Sequence, residues 1–271
     1  MKNLTTAKKL EKLYQIMLSL EQELGVLPSL NVSPTIQTPS ISDYFKKLAE
    51  QEFKIQAFTQ MVKFVGYTDL PEIVSDEKYS KLAGYNFDYL GMSFKGTELY
   101  RGVREIAHHA NLLCDEEYHT GVGDACNGLF ASNMYDKANL YSSRNSKFDC
   151  VLKFKAPELK IIDDDTLKVD ITRVFEGQEP SAHSHKQILE EVRNFTLSIN
   201  DPNHQSAFFY TLLNDPSIIA ILLGYDAIYD HNFPAFAILN RGKIVVSEKE
   251  YERICRESGR TTPKQFGDSE N

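Results

Sequence analysis

The chain has 271 residues and a mass of 30.9 kDa, the size of one substantial domain or of one domain with an extension. Hydrophobic residues make up 42% and charged residues 25%, a globular composition that excludes wholesale disorder and lets a core form without disulfide or metal staples. The 38 acidic residues outnumber the 30 basic ones, for a net charge of −8, which argues against a nucleic-acid binder that works through a basic stripe.

Leu10, Leu13, Met17, Leu20 and Leu24 recur at helical spacing and stop at Gly25. Residues 1–27 are therefore read as an amphipathic helix, which either packs on its own domain or docks a secretion chaperone. Residues 28–42, PSLNVSPTIQTPSIS, form a Pro/Ser/Thr linker. Residues 43–74 are a helical lead-in, capped by Ser42 or Asp43 and ended near Gly66. Ser75 opens a short helix, and a larger module runs over 75–255, with a frayed polar tail over 256–271. Within the module ELYRGV is a strand and Arg104–Leu113 a helix. A glycine loop leads into the strand LFAS, and DKANLYSS is helical. VLKFKA and KIIDDD are strand-like, 184–198 and 203–214 are helices, and two apolar runs after 216 close the fold. The class is α+β, with short strands pairing antiparallel around a cleft.

Cys114, Cys126, Cys150 and Cys255 form no CxxC pair, so reduced thiols are expected rather than a zinc knuckle or a disulfide framework. The opening MKNLTTAKKLEKLYQ has no apolar signal region, and the longest apolar run, Ile218–Leu223, is too short to span a bilayer. Folding in a reducing cytoplasm is expected, with no membrane span; export into a target cell by a specialised secretion route stays open.

Three segments carry candidate chemistry. In Leu99-Tyr100-Arg101-Gly102-Val103 an arginine stands inside an apolar strand. Its guanidinium needs either an internal salt bridge or a phosphate or ribose to bind, with Gly102 opening the backbone to a ligand. Gly121–Ser132, GVGDACNGLFAS, is a bent glycine loop running into a strand, which is not the dinucleotide fingerprint. The third segment joins LGYDAIY to FAILNRGKIVV.

In this order the segments resemble the mono-ADP-ribosyltransferase superfamily of bacterial toxins and effectors. LYRG matches its first strand, GLFASNMYDKANLYS its second element, and LGYDAIY with FAILNRGKIVV its close, over roughly 75–250. The resemblance implies an ADP-ribosyltransferase-like split antiparallel β core behind an N-terminal helical extension. It implies NAD as co-substrate and transfer of ADP-ribose to a host or competitor protein, as a secreted virulence effector or toxin does. Arg101 would orient the ribose and phosphate, Gly102 would meet the nicotinamide amide, and Phe130, Ser132 and Tyr141 would line the nicotinamide. The family's catalytic glutamate is missing: its place reads Phe233-Pro234-Ala235-Phe236. Asp230, beside that strand, is taken as the displaced catalytic acid, and Asp226 as a turn residue. The alternatives are a catalytically inactive binding module on the same fold and an NAD-dependent modifier of nucleic acid.

The remaining polar clusters receive plain readings. His108, His109, His183 and His185 are read as surface histidines without a metal. Asp163-Asp164-Asp165 is read as a solvated turn, and Glu248 and Glu250 as exposed.

Overall fold

The computed structural model describes residues 55–89, 92–118, 121–122, 127–142 and 150–260. The helix read over 10–24, the linker at 28–42, Cys126 and the tail beyond 260 lie outside them. The strands are β1 Glu72–Val74, β2 Asn86–Tyr89, β3 Met92–Lys95, β4 Leu99–Gly102, β5 Gly121–Val122, β6 Asn127–Ser132, β7 Val151–Phe154, β8 Ile161–Asp163, β9 Ala227–Asp230, β10 Ala235–Ile238 and β11 Val245–Ser247. The described residues divide into two compact units: one comprises 55–67, 121–122, 127–130 and 160–239, the other 68–89, 92–118, 131–142, 150–159 and 240–260. Among the described residues no helix is long and apolar enough to cross a membrane.

The first unit is a mixed sheet under helices. Its strand order is β6-β10-β9-β8. β9 and β10 form an antiparallel hairpin with Asp230 opposite Ala235, whereas β8 and β9 are parallel, with Ile161 opposite Ala227. Parallel neighbours need a long crossover, and the helices Asp164–Phe175, Lys186–Ser198, Pro202–Asn214 and Ser217–Leu222 supply it. The helix at 55–65 joins them: Phe58, Met61 and Val62 share one core with Leu167, Ile171, Leu189, Val192 and Ile219.

The start of the first crossover helix corrects the reading of the three aspartates. Asp163 ends β8 and caps the helix, its carboxylate accepting the Thr166 N–H at 2.7 Å. Asp164 and Asp165 lie in the first turn, where the helix dipole favours negative charge. Asp163 and Asp164 are buried, not part of a solvated turn. Further along, Asp170 stands on the buried stripe with Leu167, Ile171 and Val174. It is satisfied by the Ser181 and Ala182 N–H groups and by His185 Nδ1 at 2.8 Å. His185 Nε2 in turn meets the Tyr225 hydroxyl at 2.8 Å. Burial pushes the Asp170 carboxyl up, but the Ser181 and His185 hydrogen bonds outweigh it and hold it below the usual carboxylate range. His185 is thus a buried hinge of a hydrogen-bonded network, not a surface histidine.

In the second unit the order is β7-β4-β6, with β4 and β7 antiparallel from Leu99 opposite Phe154 to Gly102 opposite Val151. β2 and β3 form an antiparallel hairpin, while β1 pairs in parallel with β11, Glu72 opposite Val245. The expectation of antiparallel pairing therefore fails at β1–β11 and at β8–β9, whose partners come from distant stretches of chain.

A helix, Glu248–Glu257, guards the outer edge of β7. Glu250 Oε1 accepts the Lys153 N–H at 3.0 Å, and Arg253 donates to the Val151 carbonyl at 2.7 Å. Two side chains thereby replace the ladder a neighbouring strand would supply, and the edge is closed to other chains. Ser247 and Glu250 start the helix as a cap, with Ser247 Oγ accepting the Glu250 N–H at 3.3 Å. Glu248 and Glu250 are half-buried rather than exposed, and the Glu250 side chain retains only 14% exposure. Glu250→Ala frees the Lys153 N–H and one partner of Arg253, so a loss of about 1–2 kcal/mol is expected. Urea unfolding should show a lower midpoint at unchanged slope; an unshifted midpoint would mean that water serves the edge equally well.

Candidate functional site

Burial alternates along β4: Leu99 and Arg101 face inward, while Tyr100 turns to the other face and meets the Tyr135 ring edge-on at 5.8 Å. Arg101 is 7% exposed. Among the described residues its guanidinium makes one hydrogen bond, from Nη2 to the Tyr118 hydroxyl at 3.3 Å, and its Nε has no partner. The internal salt bridge that the sequence left open is absent among these residues. Half-buried Arg253 pairs with Glu250 and Glu257, and buried Arg241 donates through both Nη atoms to four carbonyls while its Nε, like that of Arg101, has no partner among the described residues. Arg101 differs from Arg241 in making one hydrogen bond where Arg241 makes four, and an unpaired charge out of water costs several kcal/mol until an anion meets it.

A neutral histidine stands within the field of Arg101. His109 lies on the apolar stripe of the helix Ala107–Cys114, along with Ala110 and Leu113, and is fully buried. Its Nε2 contacts the Cys150 carbonyl at 3.0 Å; since a carbonyl only accepts, Nε2 carries the proton and Nδ1 is left bare. Burial pushes its pKa down to about 3, and the positive charge of Arg101 adds to the effect, as do Arg253 and His108. His109 is a neutral core residue, which corrects its reading as a surface histidine.

The other residues marked by the sequence are distributed as follows. Gly102 follows Arg101 in β4, and a Cβ there would stand 1.8 Å from the Ala138 carbonyl oxygen. The helix Tyr135–Asn139 thus packs directly onto the strand, and this contact by itself demands glycine. Ser132, in β6, lies opposite Tyr100 and is buried; its Oγ accepts the Met134 N–H at 3.1 Å, turning the chain into that helix. Tyr141 follows the helix with 71% exposure. Arg101, Gly102, Ser132 and Tyr141 belong to the second unit, and Phe130 and Asp230 to the first.

Phe130 is half-buried against the first unit's core. Asp230 ends β9, and its Oδ1 accepts the Asn232 N–H at 2.9 Å. It shares an acidic neighbourhood: burial raises the Asp164 carboxyl above its usual range, Lys168 pulls against this, and Asp230 and Asp165 raise it further. His231 Nδ1 stands 3.0 Å from the Asp165 carboxylate. Asp226 is buried and its Oδ2 accepts the Lys160 N–H at 3.1 Å, fastening β9 to the chain entering β8. Burial and the Asp226 charge push the neighbouring Tyr67 hydroxyl up to about 12.

Among the described residues no group of three His, Cys, Asp or Glu side chains could hold a metal ion. His183 is exposed while His185 turns inward to Asp170, so the HxH pair serves no common centre. Cys114, Cys150 and Cys255 are free thiols. Sequence reasoning missed Tyr118, which sits in the charged stretch DEEYH with nothing to distinguish it, and it gave Arg241 no task of its own. Comparison with known proteins gives no match: no family model, no curated protein and no solved structure aligns significantly with the chain.

Proposed function

We propose that the protein is an NAD-dependent mono-ADP-ribosyltransferase of the ADP-ribosyltransferase-like fold, acting on a host or competitor protein. The observation that carries this reading is Arg101: a 7% exposed arginine on an apolar strand, with an unpartnered Nε and no carboxylate beside it among the described residues. That environment suits a phosphate or ribose. NAD supplies an ADP-ribosyl group on a glycosidic bond whose cleavage has oxocarbenium character.

Arg101 holds the phosphate and ribose side of the ligand. The resemblance assigns Gly102 to the nicotinamide amide and Phe130, Ser132 and Tyr141 to its ring. The resemblance assigns to Asp230 the negative charge that stabilises the positive sugar centre. Nicotinamide leaves with the electron pair of the broken glycosidic bond, the acceptor side chain forms the new bond to the ribose carbon, and its proton passes to solvent. The net charge of −8 favours a protein acceptor over a nucleic acid, and the segment 1–27 suits a secretion chaperone.

A second reading, an inactive binding module on the same fold, is favoured by the absence of a glutamate from Phe233-Pro234-Ala235-Phe236. Incubation with labelled NAD and a target-cell lysate separates the two. For an enzyme a protein band takes up label, and Arg101→Ala and Asp230→Asn each lower transfer and NAD hydrolysis by about a hundredfold or more. Equal inactivity of wild type and Arg101→Ala in both assays would leave the binding module.

A further inference from the structure

Arg241 is 1% exposed and has no carboxylate at ion-pair distance among the described residues. Its Nη1 donates to the carbonyls of Asp115 and Tyr118, both at 2.5 Å. Its Nη2 donates to Glu116 at 2.8 Å and to Thr68 at 3.3 Å. Three of these carbonyls belong to one turn, residues 115–118, which leaves the helix Ala107–Cys114. The turn also braces itself, with the Tyr118 N–H on the Asp115 carbonyl and the Glu117 N–H on the Asp115 carboxylate. Burying a guanidinium among carbonyls is a poor route to stability, since an apolar side chain of like volume serves as well or better. What the arrangement fixes is the place of the turn.

The turn ends at Tyr118, whose hydroxyl accepts from Arg101 Nη2 at 3.3 Å. A phenol that accepts one hydrogen bond keeps its own proton to donate, and among the described residues that proton has no acceptor. Arg101 and Tyr118 therefore place unspent donors side by side. We infer that Tyr118 is a second anion-binding residue beside Arg101, and that Arg241 is the positioning residue that sets it, so that the pair takes the pyrophosphate of a dinucleotide. This rests on the reading of Arg101 as the holder of NAD.

The test titrates the full chain with two probes, inorganic pyrophosphate and NAD, while following the Arg101 Nε–H resonance by NMR. Tyr118→Phe removes only the hydroxyl; Arg241→Lys keeps the charge but reaches fewer carbonyls. Each variant is expected to weaken both probes about tenfold, the size of one charge-assisted hydrogen bond. Each should also displace the Arg101 resonance in the absence of ligand. The double variant is expected within about twofold of the weaker single one, because both changes act through one contact. In turnover, KM for NAD rises and kcat stays within about threefold, as for lost ground-state binding.

Pyrophosphate bound through Tyr118 without any NAD binding would keep the inference and remove the NAD reading. NAD bound as tightly by Tyr118→Phe as by wild type would do the reverse. Binding of neither probe at millimolar concentration would remove both. If Arg241→Lys does not fold, Tyr118→Phe decides for Tyr118. The positioning role is then decided by Arg241→Gln, which must shift the Arg101 resonance; a folded Arg241 variant that leaves that resonance unmoved overturns it.

Discussion

Gly102→Ala is expected to cost about 3 kcal/mol or more, at or above the top of the range for an added methyl in a packed interior. The new Cβ would stand 1.8 Å from the Ala138 oxygen and 2.7 Å from its carbonyl carbon. Both are backbone atoms, so no rotamer change relieves the overlap. Either the helix Tyr135–Asn139 withdraws from β4 or the strand bends, and in both cases Arg101 and Tyr141 shift with it. Gly177→Ala is the control: its φ is +77°, yet nothing lies within 4 Å of the added methyl. That change carries only the backbone penalty of about 1 kcal/mol. Urea unfolding of both variants at equal slope should separate them by about 2 kcal/mol or more. Equal midpoints would mean that the helix yields freely and that Gly102 is not required by packing.

This contact also shows how far the chain can be read without coordinates. Short apolar runs place β4, β7, β9 and β10 close to their positions, because strand patterning is local. Partnership is not local. β1 and β11 lie at opposite ends of the described chain, and no residue in 72–74 names 245–247 as its neighbour. Two helices have sequence patterns that their charges disguise. DDTLKVDITRVF has Leu167, Ile171 and Val174 at helical spacing, but an aspartate on the same stripe and three more before it disguise the pattern. EKEYERICRE has a Ser247–Glu250 cap and an apolar line of Tyr251, Ile254 and Cys255, lost among charges.

The candidate site divides in the same way. Arg101 was visible because a cation inside an apolar strand is out of place. Tyr118 was not, because its importance lies in a contact across 17 residues that only the turn held by Arg241 creates. His109 could have been found: it occupies the same face as Ala110 and Leu113, where a surface histidine has no reason to be.

Acid should destabilise this protein through His109. In an unfolded chain a histidine titrates near 6.5; in the fold, burial and then the charge of Arg101 push it down to about 3. The unfolded state therefore binds the extra proton first. The stability tied to neutral His109 is complete above about pH 6.5 and is lost as the pH falls toward 3, at up to about 1.4 kcal/mol per pH unit. The whole span is worth about 4–5 kcal/mol, a large part of the 5–15 kcal/mol that ordinarily holds a domain together. His109→Gln offers an amide in place of the Nε2–H to the Cys150 carbonyl and does not titrate. It is expected to be about 1 kcal/mol less stable than wild type at pH 7 and more stable by about pH 5. Urea unfolding at pH 7, 5.5 and 4 measures the crossing, and parallel profiles for the two proteins would refute the assignment. The same profile reports on Arg101: an anion bound there weakens the positive field, raises the folded pKa of His109 and flattens the acid slope. Pyrophosphate should therefore make the wild type less acid-sensitive while leaving the slope of His109→Gln unchanged.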